Sequence, residues 1–105
     1  LPTRPSSIQR WAGAEMRRHD AVQLMEAGVA IGNYNARKWI GEIDVPTSVV
    51  LTALDKAIVP ERQMELHDAI DGATLHPVND GHVACARSTW IPGLLAACRD
   101  VADRI

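Results

Sequence analysis

The sequence predicts an α/β fold: two N-terminal helices, then β-α-β-α with a parallel strand pair. Three observations carry this. Ser48 to Leu51 is a nearly continuous apolar run, as a strand buried on both faces should be. A short amphipathic segment follows, opened by Pro60 and closed by Gly72. A second short run, Ala73 to Val78, then reads as another strand. Two strands joined by a helix pair in parallel.

Taken in order, Leu1 to Ser7 carries two prolines and reads as an extended leader. Ser6 or Ser7 is positioned to cap a helix from about Ile8 to Arg18. Asp20 caps a second helix through about Ile31, which Gly32-Asn33 would end, since both tolerate the left-handed conformation. Asn33 to Lys38 is a polar connector, and Trp39-Ile40 anchors the return to the core. Pro46 enters the first strand ahead of its ladder. In the helix behind Pro60, the residues Gln63, Leu66, His67 and Ile70 form one stripe with Met64 beside it. Pro77 marks the second strand as weakly paired or an edge. Thr89 is positioned to cap the last helix, with Pro92 in its first turn. The stripe of Ile91, Leu94, Leu95, Cys98, Val101, Ala102 and Ile105 makes it the clearest amphipathic helix. The organisation expected is a helical segment over 1–38 and an α/β segment over 39–105.

Composition narrows the function classes. Apolar residues make up 47% and charged residues 23%, which is globular usage rather than disorder. Net charge is −2, and no basic cluster exceeds a pair such as Arg17-Arg18, so nucleic acid and acidic membrane surfaces are set aside as partners. No apolar run approaches the roughly 20 residues of a membrane span. Residues 1–10 lack a signal-peptide pattern, although a chain that starts at Leu1 rather than Met makes that a weak argument. Cys85 and Cys98 are too few for a disulfide framework and lie in Ala-rich surroundings. They read as buried free thiols of an intracellular, cytoplasmic protein.

The chemistry-bearing residues are Asp55 and His82. Each falls just past the C-terminal end of a predicted strand, which is where open parallel sheets keep their ligands. Alone, an acid in a turn ordinarily bonds nearby backbone N–H groups, and a histidine after Asp80-Gly81 is ordinarily an exposed turn residue. As a pair they weigh more, because adjacent parallel strands lie about 4.8 Å apart. Asp80 is a rival acid but more naturally shapes its own turn. His19, His67 and His76 show no metal-ligand spacing with one another, and no metal or cofactor is expected.

Val45-Pro46-Thr47 leading into a strand, Asp55, Ile58-Val59-Pro60 opening a helix, and Asp80-Gly81-His82 together resemble the C-terminal part of the α/β-hydrolase family. The resemblance covers about Trp39 to Ile105. It implies that Asp55 is the orienting acid and His82 the general base of a Ser-His-Asp triad. It also makes 1–38 a lid-like segment, with Trp11, Met16, Leu24, Met25 and Tyr34 as candidates for an acyl-pocket surface. The family's G-x-S-x-G elbow is absent. Gly28-Val29-Ala30-Ile31-Gly32 imitates it with alanine at the centre, inside a predicted helix. Ser48 lies within a strand, Ser88 starts the last helix, and Cys85 lacks the electropositive setting of a reactive thiol.

The resemblance therefore implies a C-terminal fragment of a hydrolase acting on a carboxylic ester or related acyl bond. The isolated chain is expected to be inactive, and its partner to be the missing N-terminal part or a second copy. The alternative is a non-catalytic interaction module assembling through the open strand edge.

Overall fold

The computed structural model describes residues 6–105, so the predicted leader lies mostly outside the described residues. The chain divides into two compact units, Leu1–Asn35 and Ala36–Ile105.

The first unit holds α1 (Ser7–Arg18) and α2 (Ala21–Asn33). Ser6 closes a capping box on α1: its hydroxyl accepts from the Gln9 N–H at 3.3 Å, and the Gln9 side chain accepts from the Ser6 N–H at 2.8 Å. Asp20 caps α2 by accepting from the Val22 and Gln23 N–H groups at 2.8 and 3.4 Å. The predicted left-handed stop at Gly32-Asn33 is corrected. α2 runs through Asn33, and Tyr34 leaves it in extended conformation while donating its N–H to the Ile31 carbonyl. That bond closes the last turn without a left-handed residue. No residue of either helix is buried.

In the second unit, β1 (Ser48–Thr52), α3 (Pro60–Ala69), β2 (Thr74–Val78) and α4 (Ile91–Asp103) follow in order, with short 3-10 turns at Ile40–Glu42, Ala84–Ala86 and Ser88–Trp90. The two strands pair in parallel, from Ser48 opposite Thr74 to Thr52 opposite Val78. Together the described residues form an α/β arrangement of four helices and a two-stranded parallel sheet. Pro60 occupies the first helical turn of α3, where its missing N–H costs nothing. Gly72, at φ +70°, turns the chain from α3 into β2.

Side chains alternate across the sheet. Ser48 and Val50 face α4, while Val49 and Leu51 face the other way and are buried. Ile70, Val78, Ala84 and Ala97 complete the small interior among the described residues. The Thr74 and Ala53 N–H groups donate to Thr47 and Val78 carbonyls across the sheet. Backbone alternation therefore directs the polar groups of Thr52 to the open edge of β1, and the position of Pro77 to the outer edge of β2. Proline costs no ladder bond there.

Three side-chain expectations are corrected. Leu66 lies off the packed side of α3 and is exposed, whereas Met64 is half-buried. Thr89 does not cap α4. It donates instead to the Asp80 carboxylate, and Trp90 precedes the helix with no side-chain cap. Cys85 and Cys98 are unpaired but exposed.

α4 also sits rotated from the orientation its apolar stripe suggests. Its sheet side is Gly93, Ala97, Asp100 and Arg104, spaced at helical intervals. A Cβ on Gly93 would stand 2.6 Å from Val78 Cγ2, so only glycine permits this approach. At the other end, Asp100 accepts from Ser48 and Thr74 hydroxyls at 2.8 and 2.6 Å. Arg104 donates to the Thr47 and Gly72 carbonyls at 2.9 and 3.1 Å, and to Asp100 at 2.6 Å. The predicted stripe consequently lies to one flank, where Val50, Leu94, Cys98, Val101 and Ile105 border an open groove of about 420 Å³.

Candidate functional site

Two loops meet at the C-terminal end of the sheet. The Ala53 N–H donates to the Val78 carbonyl at 2.9 Å and the Leu54 N–H to the Asp80 carbonyl at 3.0 Å. These bonds continue the strand pairing past the strands themselves. They hold the turn after β1 against the turn after β2, which brings Asp55 and His82 together across 27 positions of sequence.

Asp55 is buried, with 6% of its surface exposed, and every lone-pair direction of its carboxylate is used. Oδ1 accepts from the Ala57 and Ile58 N–H groups, both at 2.9 Å. Oδ2 accepts from the Thr52 hydroxyl at 3.0 Å and pairs with His82 Nδ1 at 3.1 Å. Desolvation is the largest single influence on this carboxyl and pushes its pKa up. The bonds from Ile58, His82, Thr52 and Ala57 together outweigh it and hold the pKa at about 2. Asp55 is thus an anion at neutral pH and can only accept, so Nδ1 of His82 carries the proton. The imidazole side chain is 58% exposed, and its Nε2 has no hydrogen-bond partner among the described residues. The chemical capacity is definite: an anchored carboxylate fixes one tautomer of a half-exposed imidazole and leaves its basic nitrogen accessible.

The other candidates fall elsewhere. Asp80 uses its oxygens on its own turn, accepting from the Gly81 N–H at 2.7 Å and from Thr89. Those two bonds, that from Thr89 first, hold its pKa below the usual carboxylate value. His67 bonds its neighbour Asp68 at 2.9 Å. His76 lies in the middle of β2, opposite Val50, and bonds Thr74 at 3.2 Å. Ser48 is engaged by Asp100 and Thr74. Gly28 to Gly32 lies within α2, so the elbow-like spacing has no strand before it. In the helical unit, Trp11, Met16, Met25 and Tyr34 are exposed and Leu24 is half-buried. No group of three or more His, Cys, Asp or Glu among the described residues is arranged to hold a metal ion. No helix among them is long and apolar enough to cross a membrane.

Sequence reasoning missed two residues. Thr52 ends β1 and donates to Asp55. Gln63, read as part of the α3 stripe, turns its amide toward the site. Its Oε1 accepts from the Thr52 N–H at 2.8 Å, and its Nε2 donates to the Thr52 and Ile58 carbonyls at 3.1 and 2.7 Å. The available signal was the polar residue itself, placed in the predicted inward stripe one turn after Pro60.

Compared with protein-family models, with curated proteins and with solved structures, the chain matches none.

Proposed function

We propose that this chain is the C-terminal part of an α/β-hydrolase-like enzyme that cleaves a carboxylic ester or related acyl bond. In this reading Asp55 is the orienting acid and His82 the general base. The observation that carries it is the 3.1 Å bond from His82 Nδ1 to Asp55 Oδ2, made at the C-terminal ends of adjacent parallel strands. In such a triad Nε2 takes the nucleophile's hydroxyl proton as it attacks the acyl carbon, then returns it to the leaving group. The carboxylate stabilises the imidazolium in between. The small interior and the open edge of β1 support a larger parent sheet. In that parent the N-terminal helices would serve as a lid segment. Two unpaired thiols, Cys85 and Cys98, favour a reducing, cytoplasmic setting.

Base and orienting acid without a nucleophile and oxyanion hole give little catalysis, so the isolated chain is expected to be inactive. The test is made on the protein expressed from its complete reading frame. Labelling by a fluorophosphonate probe and ester turnover are both expected, and His82→Ala should abolish them. Absence of labelling, or a His82→Ala variant that retains turnover, would overturn the reading.

The same open edge favours a second reading, a non-catalytic module that assembles through β1. A concentration-dependent dimer in sedimentation, together with no fluorophosphonate labelling, would move it ahead.

A further inference from the structure

The Asp55–His82 pair is supported by a residue that touches neither. We infer that Gln63 is a positioning residue for this pair, acting as a surrogate peptide group that staples both ends of the Asp55 turn. The inference rests on the reading of Asp55 and His82 as acid and base.

Thr52 directs its N–H and C=O to the open edge of β1, where no strand meets them. The Gln63 amide bonds both, at 2.8 and 3.1 Å, as the peptide group of a neighbouring strand would. Its orientation is fixed without ambiguity: Oε1 faces a backbone donor, and Nε2 faces two carbonyls, Thr52 and Ile58. The segment from Thr52 to Ile58 is therefore held at its first residue and its last by one side chain. Asp55 lies between them and uses the same two residues, accepting from the Thr52 hydroxyl at 3.0 Å and the Ile58 N–H at 2.9 Å.

The Thr52 hydroxyl has one proton and two acceptors in reach, Asp55 Oδ2 at 3.0 Å and Gln63 Oε1 at 3.2 Å. The anionic carboxylate is the stronger acceptor, and the Thr52 N–H already satisfies Oε1. Gln63 thus leaves the hydroxyl proton to Asp55 while fixing where that hydroxyl stands. Without the amide, two backbone carbonyls and one N–H lose their partner, and the turn is free to swing Asp55 Oδ2 away from His82 Nδ1.

The readout is the tautomer of neutral His82, measured by ¹⁵N NMR on the chain as it stands, with no need for turnover. The Nδ1–H form is expected to dominate, although an unconstrained imidazole prefers Nε2–H. Asp55→Asn should release it toward the Nε2–H form. Gln63→Met keeps the length and packing of the side chain without its amide, and should shift the balance the same way. Thr52→Val, which removes the hydroxyl alone, should do likewise. Backbone shifts of Ser48 to Val50 report whether each variant keeps the sheet, and Gln63→Leu, which also lacks the amide, decides the matter if Gln63→Met does not fold. If Asp55→Asn moves the tautomer and the folded Gln63 variant does not, the role of Gln63 is overturned while the acid–base pair stands. If Asp55→Asn itself has no effect, the pair is not coupled, and both readings fall.

Discussion

The two ends of the sheet solve the same problem differently. Each places a carboxylate against strand hydroxyls and drives its pKa to about 2. At the start of the strands, Asp100 is held mainly by Thr74, then Ser48, with burial opposing and Arg104 adding to the effect. Arg104 is a permanent cation whose donors are spread over carbonyls, hydroxyls and Asp100 itself, so this end is closed. At the far end, Asp55 meets an imidazole instead. A histidine bonded through Nδ1 still has a second nitrogen, and here that nitrogen sits on a half-exposed ring. One carboxylate makes a latch, and the other holds an imidazole whose second nitrogen has no partner among the described residues. The difference lies in whether the partner keeps a spare nitrogen.

That contrast can be broken most directly at His82. On the hydrolase reading proposed above, His82→Ala in the parent enzyme is expected to lower ester turnover by about 10⁴- to 10⁶-fold with little change in melting temperature. Variants at Asp100 should behave in the opposite way, lowering the melting temperature while folded protein keeps its turnover. Equal losses of both kinds at both ends would erase the distinction.

Two substitutions in α4 sharpen it. Gly93→Ala places a methyl against Val78, a stiff and buried side chain at the site end. Despite better helix propensity it should destabilise by about 2 kcal/mol in chemical denaturation, as overpacking does. Arg104→Ala removes the bonds to Thr47 and Gly72 and the partner of Asp100 at the latch end. A loss of about 1–2 kcal/mol is expected. The His82 tautomer should stay unchanged in Arg104→Ala. If it changes, the two ends are mechanically coupled through the sheet.

Sequence reading reached some of this and not the rest. The apolar run at Ser48 to Leu51, the caps at Ser6 and Asp20, Pro60 and Gly72 all carry local signals, and each sits where its chemistry says it should. The meeting of Asp55 and His82 was accessible because parallel strand ends are neighbours, a rule of topology rather than of residue type. Gln63 escaped because its spacing fits an inward stripe, and spacing does not reveal what an inward amide bonds. The rotation of α4 was hidden for a related reason. Gly93 and Ala97 are weak apolar signals, and Asp100 and Arg104 lie outside the apolar stripe, so nothing local marks the strand hydroxyls beneath them. Thr89 looked like a cap because nothing local shows that Asp80 competes for its hydroxyl.

The smallest expected effect tests whether the two carboxylates are as alike as their surroundings suggest. Both fall from an ordinary 3.8 to about 2 on folding, so the unfolded chain binds more protons than the folded one between those values. Stability from each carboxylate is therefore fully present above about 3.8, and is lost as pH falls through about 2. Through these groups, melting temperature should not change with pH near neutrality and should decline across that acid window. Asp55→Asn and Asp100→Asn should each flatten part of the decline. They sit at opposite ends of a strand spanning about 13 Å, far enough for their effects to add. Arg104 and the Ser48 and Thr74 hydroxyls face Asp100, with His76 Nε2 at 3.8 Å, whereas His82 and the Thr52 hydroxyl face Asp55. If the double variant loses clearly more than the sum of the singles, the latch and the base are one network, and the closed end would have to be counted as part of the site.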